Sequence, residues 1–132
     1  MSFTFINPAS LGAPRGYSNG VLTEGGRLLF IAGQIAWNEQ QQIVSEDLVA
    51  QFDRALANVI SVVTEAGGTP DQIARLILYV TDKKDYQRRM KEIGERYRVH
   101  MGKHFPAMVL VEVKSLLDDA AMIEIEGLAV LS

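Results

Sequence analysis

The sequence predicts an α+β fold in which a mixed β-sheet carries two helices on one face. Two segments repeat apolar residues at steps of three and four, as amphipathic helices do. Other segments concentrate apolar residues in short blocks that are typical of strands. The resulting order is strand, strand, helix, strand, helix, strand, strand, and we expect residues 1–132 to form a single domain.

The first half of the chain predicts a hairpin followed by a helix. Residues 21–24 and 27–32 read as strands, and the Gly-Gly pair between them tolerates the positive φ of a tight turn. Ser45 supplies a capping hydroxyl at a helix start, after which apolar residues recur at helical spacing over residues 49–63. Gly67 and the glycine after it end this helix.

The second half predicts a strand, a second helix and two more strands. Residues 69–72 form a short turn before the apolar block at 76–80, which suits a buried strand. A helix runs from Asp82 to about Gly102 with one apolar stripe, and two strands follow at residues 107–113 and 122–130.

Two of these strands are apolar on both sides. Residues 76–80 and 108–111 contain almost no polar side chains, although two helices can cover only one face of the sheet. The second face must therefore be buried as well, most simply against copies of the same chain. We predict a closed homo-oligomer.

Composition excludes several classes of function. The chain has 0 cysteines, so disulfides, thiolate metal sites and cysteine nucleophiles are excluded together. The net charge of −3 and the lack of a long apolar segment argue against nucleic-acid and membrane partners. The N-terminus lacks the features of a secretory signal, and we expect a cytoplasmic protein. A basic cluster is best explained as a solvated helix face, and it comprises Lys83, Lys84, Arg88, Arg89 and Lys91.

Five short motifs, in order, resemble the RidA (YjgF) family of reactive-intermediate deaminases. They are Arg15-Gly-Tyr-Ser-Asn-Gly20, Phe30-Ile-Ala-Gly-Gln-Ile35, Phe105-Pro-Ala107, Val111-Glu-Val113 and Ile123-Glu-Ile-Glu126. The resemblance spans nearly the whole chain. It implies a chorismate-mutase-like fold and a homotrimer with a central barrel, in which three clefts between subunits bind a small molecule without a cofactor or a metal.

The resemblance also implies catalytic residues. Glu124 corresponds to the glutamate that positions a water for attack on an imine, and Tyr17 to a tyrosine whose hydroxyl faces the cleft. Gly33 corresponds to a glycine whose backbone approaches the ligand. A purely structural role is an open alternative for each, and for Glu126 we favour hydrogen bonding over catalysis.

The sequence departs from the deaminating members where they bind the substrate's carboxylate. Their arginine after Phe-Pro-Ala is Met108 here, and a thioether has neither the charge nor the paired donors of a guanidinium. Leu110 replaces a cysteine, Ala32 a serine, and Met90 lies near the position of an asparagine.

A more apolar pocket is therefore expected. Its lining would include Met108, Leu110, Phe105 and Tyr17, with Arg15 as a candidate for the displaced cation. Such a pocket favours an enamine or imine other than the usual 2-imino acids.

Three alternative functions have some support in the sequence. A ligand-binding or regulatory trimer without turnover is the main alternative to an enzyme. An endoribonuclease or inhibitor of translation is less consistent with the acidic balance. His100 and His104 have the spacing of a helical metal pair, but no third ligand or following glutamate accompanies them.

Overall fold

The computed structural model describes residues 3–132, which form a mixed sheet of four strands, a small two-stranded sheet and helices. The strands are β1 (Thr4–Ile6), β2 (Gly20–Leu22), β3 (Arg27–Gln34), β4 (Ile73–Val80), β5 (Ala107–Glu112) and β6 (Ile123–Leu131). The α-helices are α1 (Leu48–Glu65), α2 (Lys83–Arg88) and α3 (Met90–Met101), and short 3-10 turns occupy Ala9–Leu11 and Pro70–Gln72. The predicted α+β class is confirmed.

The main sheet has the order β3-β6-β4-β5. Strands β4 and β5 are parallel, while β6 is antiparallel to both of its neighbours. The parallel pair needs a crossover, and α2 and α3 supply it. The sheet is therefore mixed, as the element order predicted.

The helices cover one face of this sheet. Ile123 and Ile125 are 0% exposed and pack with Phe52 and Leu56 of α1 and Ile93 of α3. The intervening residues of β6 are only partly buried, because consecutive strand residues point to opposite faces. Glu124 and Glu126 therefore face away from the helices.

The predicted hairpin is wrong. A turn does occur at Gly25 and Gly26, with φ of 71° and 97°, but the strands on either side of it do not pair with each other. Strand β2 pairs with β1, and β3 pairs with β6 of the main sheet. Strand β1 was not predicted, because a three-residue strand carries no periodic signal.

Two details of the helices also differ from the prediction. Asp47, not Ser45, caps α1 by accepting a hydrogen bond from the backbone nitrogen of Ala50 at 3.0 Å. The second predicted helix is divided at Arg89, where φ of −107° and ψ of 13° interrupt the helical path. No helix within residues 3–132 has the length and apolarity needed to cross a bilayer.

Candidate functional site

The loop that carries Tyr17 is fixed against the start of β5. Ser18 donates its hydroxyl to the carbonyl of Phe105 at 2.6 Å and its backbone NH to the carbonyl of Pro106 at 3.0 Å. Gly16 has a φ of 75°, which a residue with a β-carbon rarely adopts. These constraints place Tyr17 beside the Phe105-Pro-Ala107 motif, although the two are far apart in sequence.

A cavity of about 590 Å³ lies between the main sheet and the α2–α3 segment. Met108 and Leu110 are registered with Leu76 and Leu78 of β4, so their side chains lie on the helix-covered face of the sheet. The cavity brings together five of the predicted site residues: Arg15, Tyr17, Phe105, Met108 and Leu110. The volume falls in the usual range for small-molecule pockets.

Two tyrosines that the sequence did not assign to the site also line this cavity. The ring of Tyr97 stacks on Phe105 with centroids 5.4 Å apart, and its hydroxyl donates to the carbonyl of His104 at 2.6 Å. Burial raises the pKa of Tyr86 to about 12 and also raises the pKa of Tyr97. Both phenols are therefore neutral at physiological pH, and neither is a base for hydrolysis.

Glu124 lies on the opposite face of the sheet, next to Gly33. It is registered with Tyr79 of β4, and the pairing of β3 with β6 is irregular between Ile31 and Gln34. A β-carbon on Gly33 would overlap Oε2 of Glu124 and lie 2.8 Å from its carboxyl carbon. With a β-carbon at position 33, the carboxylate of Glu124 would have to move from this place.

The Glu124 carboxylate is available to bind a water or a substrate. Among residues 3–132, no side chain or backbone NH donates a hydrogen bond to it. Ala32, which precedes Gly33, is exposed beside it. A carboxylate with free lone pairs on an accessible surface can accept protons from water.

Glu126, two residues further along β6, has a partner within its own chain. The hydroxyl of Tyr79 donates to Oε1 of Glu126 at 2.5 Å. This hydrogen bond is the main reason that the pKa of Tyr79 is raised, with smaller contributions from burial and from the nearby glutamates. The arrangement agrees with the structural role that we favoured for Glu126.

The predicted site residues thus form two groups within one chain. Arg15, Tyr17, Phe105, Met108 and Leu110 belong to the cavity on the helix side, whereas Ala32, Gly33 and Glu124 lie on the other side of the sheet. Sequence reasoning missed Tyr86, Tyr97 and Arg98 as lining residues. Both tyrosines belong to the apolar stripe of the second predicted helix, which carries no sign of a site, and no pattern distinguishes Arg98 from other helix arginines.

The two histidines have separate partners. Nε2 of His100 lies 2.7 Å from Oδ1 of Asp53 on α1, and Nε2 of His104 lies 2.6 Å from the carbonyl of Ile73. Their side chains therefore serve helix packing and backbone hydrogen bonding.

Comparison with known proteins identifies the family. The family model described as Endoribonuclease L-PSP matches residues 8–131. A RutC family protein from Pyrococcus abyssi is 32% identical over 79% of each chain, and the 2-iminobutanoate/2-iminopropanoate deaminase of Escherichia coli is 32% identical over 93% of this chain and 91% of its own. A crystal structure of YyfB, a protein of unknown function of the conserved Rid family from Yersinia pestis, is 34% identical with a TM-score of 0.89, covering 99% of this chain and 100% of that one. The chain belongs to the RidA (YjgF) family.

Proposed function

We propose that this protein is a cofactor-free hydrolytic deaminase that converts an enamine or imine to a carbonyl compound and ammonia. The free carboxylate of Glu124, which lies against Gly33 on the open face of the sheet, is the observation that carries the proposal. The deaminase activity of a relative that is 32% identical supports the same chemistry.

The reaction needs one water and one group that moves protons. Glu124 accepts a proton from a bound water as the water oxygen bonds to the imine carbon and the π electrons of C=N move to nitrogen. The proton is then returned to the nitrogen, which gives an amino alcohol. The hydroxyl proton of this intermediate next passes through Glu124 to the nitrogen, the C–N bond breaks, and ammonia leaves as the carbonyl forms. Tyr17 orients the water or the substrate through its hydroxyl. An enamine enters the same sequence after tautomerising to the imine.

The site is completed between the subunits of a homotrimer. The face of the sheet that carries Glu124 also exposes Leu28 and Phe30 of β3 and Val109 and Val111 of β5, with Phe30 73% exposed. An apolar sheet face of this kind favours burial against another copy. The number three comes from the family resemblance. In this arrangement, Glu124 of one subunit faces the Tyr17 cavity of a neighbour.

The substrate is unlike the usual 2-imino acids. Met108 and Leu110 place apolar side chains where the deaminating members bind the substrate's carboxylate with an arginine. A charge-assisted contact of that kind contributes about 1.5–3 kcal/mol to the binding free energy. Without a guanidinium at position 108, a small imino acid loses about 10- to 150-fold in affinity.

An ammonia-release assay tests both parts of the proposal. Matched imines that differ only in their carboxylate are supplied to wild type, Glu124→Gln and Met108→Arg. We expect Glu124→Gln to lower kcat on every substrate by about 100-fold or more, because the amide cannot accept the proton. Glu126→Gln is the matched control, since it changes the same strand and face, and its loss should stay below about tenfold.

Four other outcomes would contradict part of this proposal or support a different function. Equal hydrolysis of carboxylated imines by wild type and Met108→Arg would contradict the inference about substrate class. Unchanged turnover in Glu124→Gln would remove this residue from the chemistry. Thermal stabilisation by a small ligand with no ammonia release would support the alternative, a metabolite-binding or regulatory trimer. RNA cleavage abolished by Glu124→Gln would support an endoribonuclease.

A further inference from the structure

The charged residues that line the cavity are all arginines. Arg15 enters from the loop before β2 and Arg98 from α3, and no aspartate or glutamate among residues 3–132 lines the same space. Neither arginine side chain makes an ion pair or a hydrogen bond with another described residue. Other arginines of the α2–α3 segment, such as Arg89 and Arg96, are paired with carboxylates. The cavity therefore carries positive charge without an internal counter-ion.

The guanidinium of Arg98 lies beside Gly94, one turn earlier in α3. A β-carbon on Gly94 would sit 3.4 Å from Nη1 of Arg98 and would meet no other atom within 4 Å. The arginine side chain therefore folds back along α3 over the bare turn at Gly94, which itself lines the cavity. Glycine is a poor helix residue, and no packing contact requires it here. The exposed guanidinium therefore lies over a helix turn without a side chain, at the rim of the cavity that both residues line.

The interior of the cavity is apolar. Leu76, Met108 and Leu110 line its sheet side, and the stacked rings of Tyr97 and Phe105 form one wall. A ligand that fills this space must bring apolar surface, while its charge must remain near the two arginines.

We propose that the cavity binds an amphipathic carboxylate, with its apolar body among Met108, Leu110 and Tyr97 and its carboxylate between Arg15 and Arg98. The identification of this ligand as the substrate rests on the proposed deaminase function; the binding itself does not. In such a substrate, an apolar spacer separates the carboxylate from the C=N carbon, because the cations stand at the rim and not at position 108.

Isothermal titration calorimetry with the intact protein tests this assignment. The probes are 4-phenylbutanoate and straight-chain fatty acids of six to twelve carbons, each compared with its primary amide, and pyruvate as a carboxylate without an apolar body. We expect the best acid to bind about tenfold or more tightly than its amide, and more tightly than pyruvate. The double variant Arg15→Gln/Arg98→Gln should lose this preference. Lys91→Gln should keep it, because Lys91 is exposed on α3 as Arg98 is but does not line the cavity.

Three outcomes would contradict carboxylate binding in the cavity. The proposal is overturned if no acid binds, if acids and amides bind equally, or if the double variant retains the preference. Binding is also measured in Glu124→Gln, which should retain it. If wild type binds acids but hydrolyses no imine, the deaminase function is refuted and carboxylate binding in the cavity is supported. If wild type hydrolyses imines but does not prefer acids to amides, the deaminase function is supported and carboxylate binding is refuted.

Discussion

At the scale of single residues, the contact between Gly33 and Glu124 is the most specific feature of the protein. The side chain of Glu124 occupies the place that a β-carbon at position 33 would need. The sequence identified both residues through the family resemblance, but the pattern of residues gave no sign that they touch. Their contact depends on the irregular pairing of β3 with β6, which no local periodicity records.

Gly33→Ala should therefore impair activity in the same way as a mutation of Glu124 itself. The new methyl group must displace the carboxylate, so we expect the kcat for imine hydrolysis to fall by about tenfold or more while the chain remains folded. Circular dichroism and the ammonia-release assay measure the two properties separately. Gly20→Ala is the control. Gly20 lies in the small sheet, and a β-carbon there would meet no atom closer than 3.4 Å. Full activity in Gly33→Ala would argue against a catalytic position for Glu124.

At the scale of elements, one acidic residue connects the two long helices. Asp53 of α1 accepts hydrogen bonds from Nε of Arg96 at 2.9 Å and lies 2.7 Å from Nε2 of His100, both on α3. Burial tends to raise the pKa of Asp53, but the hydrogen bonds from Arg96 and His100 outweigh it and hold the pKa below its usual value. Because α3 forms one side of the cavity, this link positions the wall that carries Tyr97 and Arg98.

The Asp53 link should stabilise the protein in a pH-dependent way. A carboxyl whose pKa is lowered on folding contributes its full stabilisation above the unfolded pKa of about 3.9, and this is lost as the pH falls through the lower folded value. We expect Asp53→Asn to reduce the free energy of unfolding by about 1 kcal/mol at pH 7, and the difference from wild type to shrink below about pH 4. Urea denaturation at several pH values and one protein concentration measures this.

The control for that experiment is Glu95→Gln, an exposed carboxylate on α3 that makes no ion pair with a described residue. Its effect should stay within about 0.5 kcal/mol at every pH. A constant difference between Asp53→Asn and wild type down to pH 3 would mean that the mutation acts through packing and not through charge.

At the scale of the whole molecule, the two faces of the main sheet are unequal. One face is covered by helices and holds the core, and the other exposes large apolar side chains together with Glu124, Glu126 and Tyr79. The apolar character of β4 and β5 on both sides predicted this second face from sequence alone. In the proposed trimer this face is buried and Glu124 faces a neighbouring cavity, so we expect assembly and activity to be lost together.

Phe30→Asp should test that coupling. A carboxylate in place of the 73% exposed ring would be buried without a partner in the trimer, so we expect a monomer and no imine hydrolysis. Leu117→Asp is the matched control, because Leu117 is fully exposed in the loop before β6 and should remain trimeric and active. Light scattering after gel filtration measures the mass. A trimeric Phe30→Asp variant would show that this face is not the interface.

The sequence by itself determined the class of fold, the span of most helices and strands, and the face of β6 on which each glutamate lies. These properties follow from periodicity between residues a few positions apart, such as the alternation of Ile123, Glu124 and Ile125. The tertiary structure alone decided that β2 pairs with β1, that Ser18 ties the Tyr17 loop to a carbonyl 87 residues away, and that Arg98 folds over Gly94 at the cavity. Contacts of this kind join distant parts of the chain, and their geometry is set by packing that no local pattern encodes.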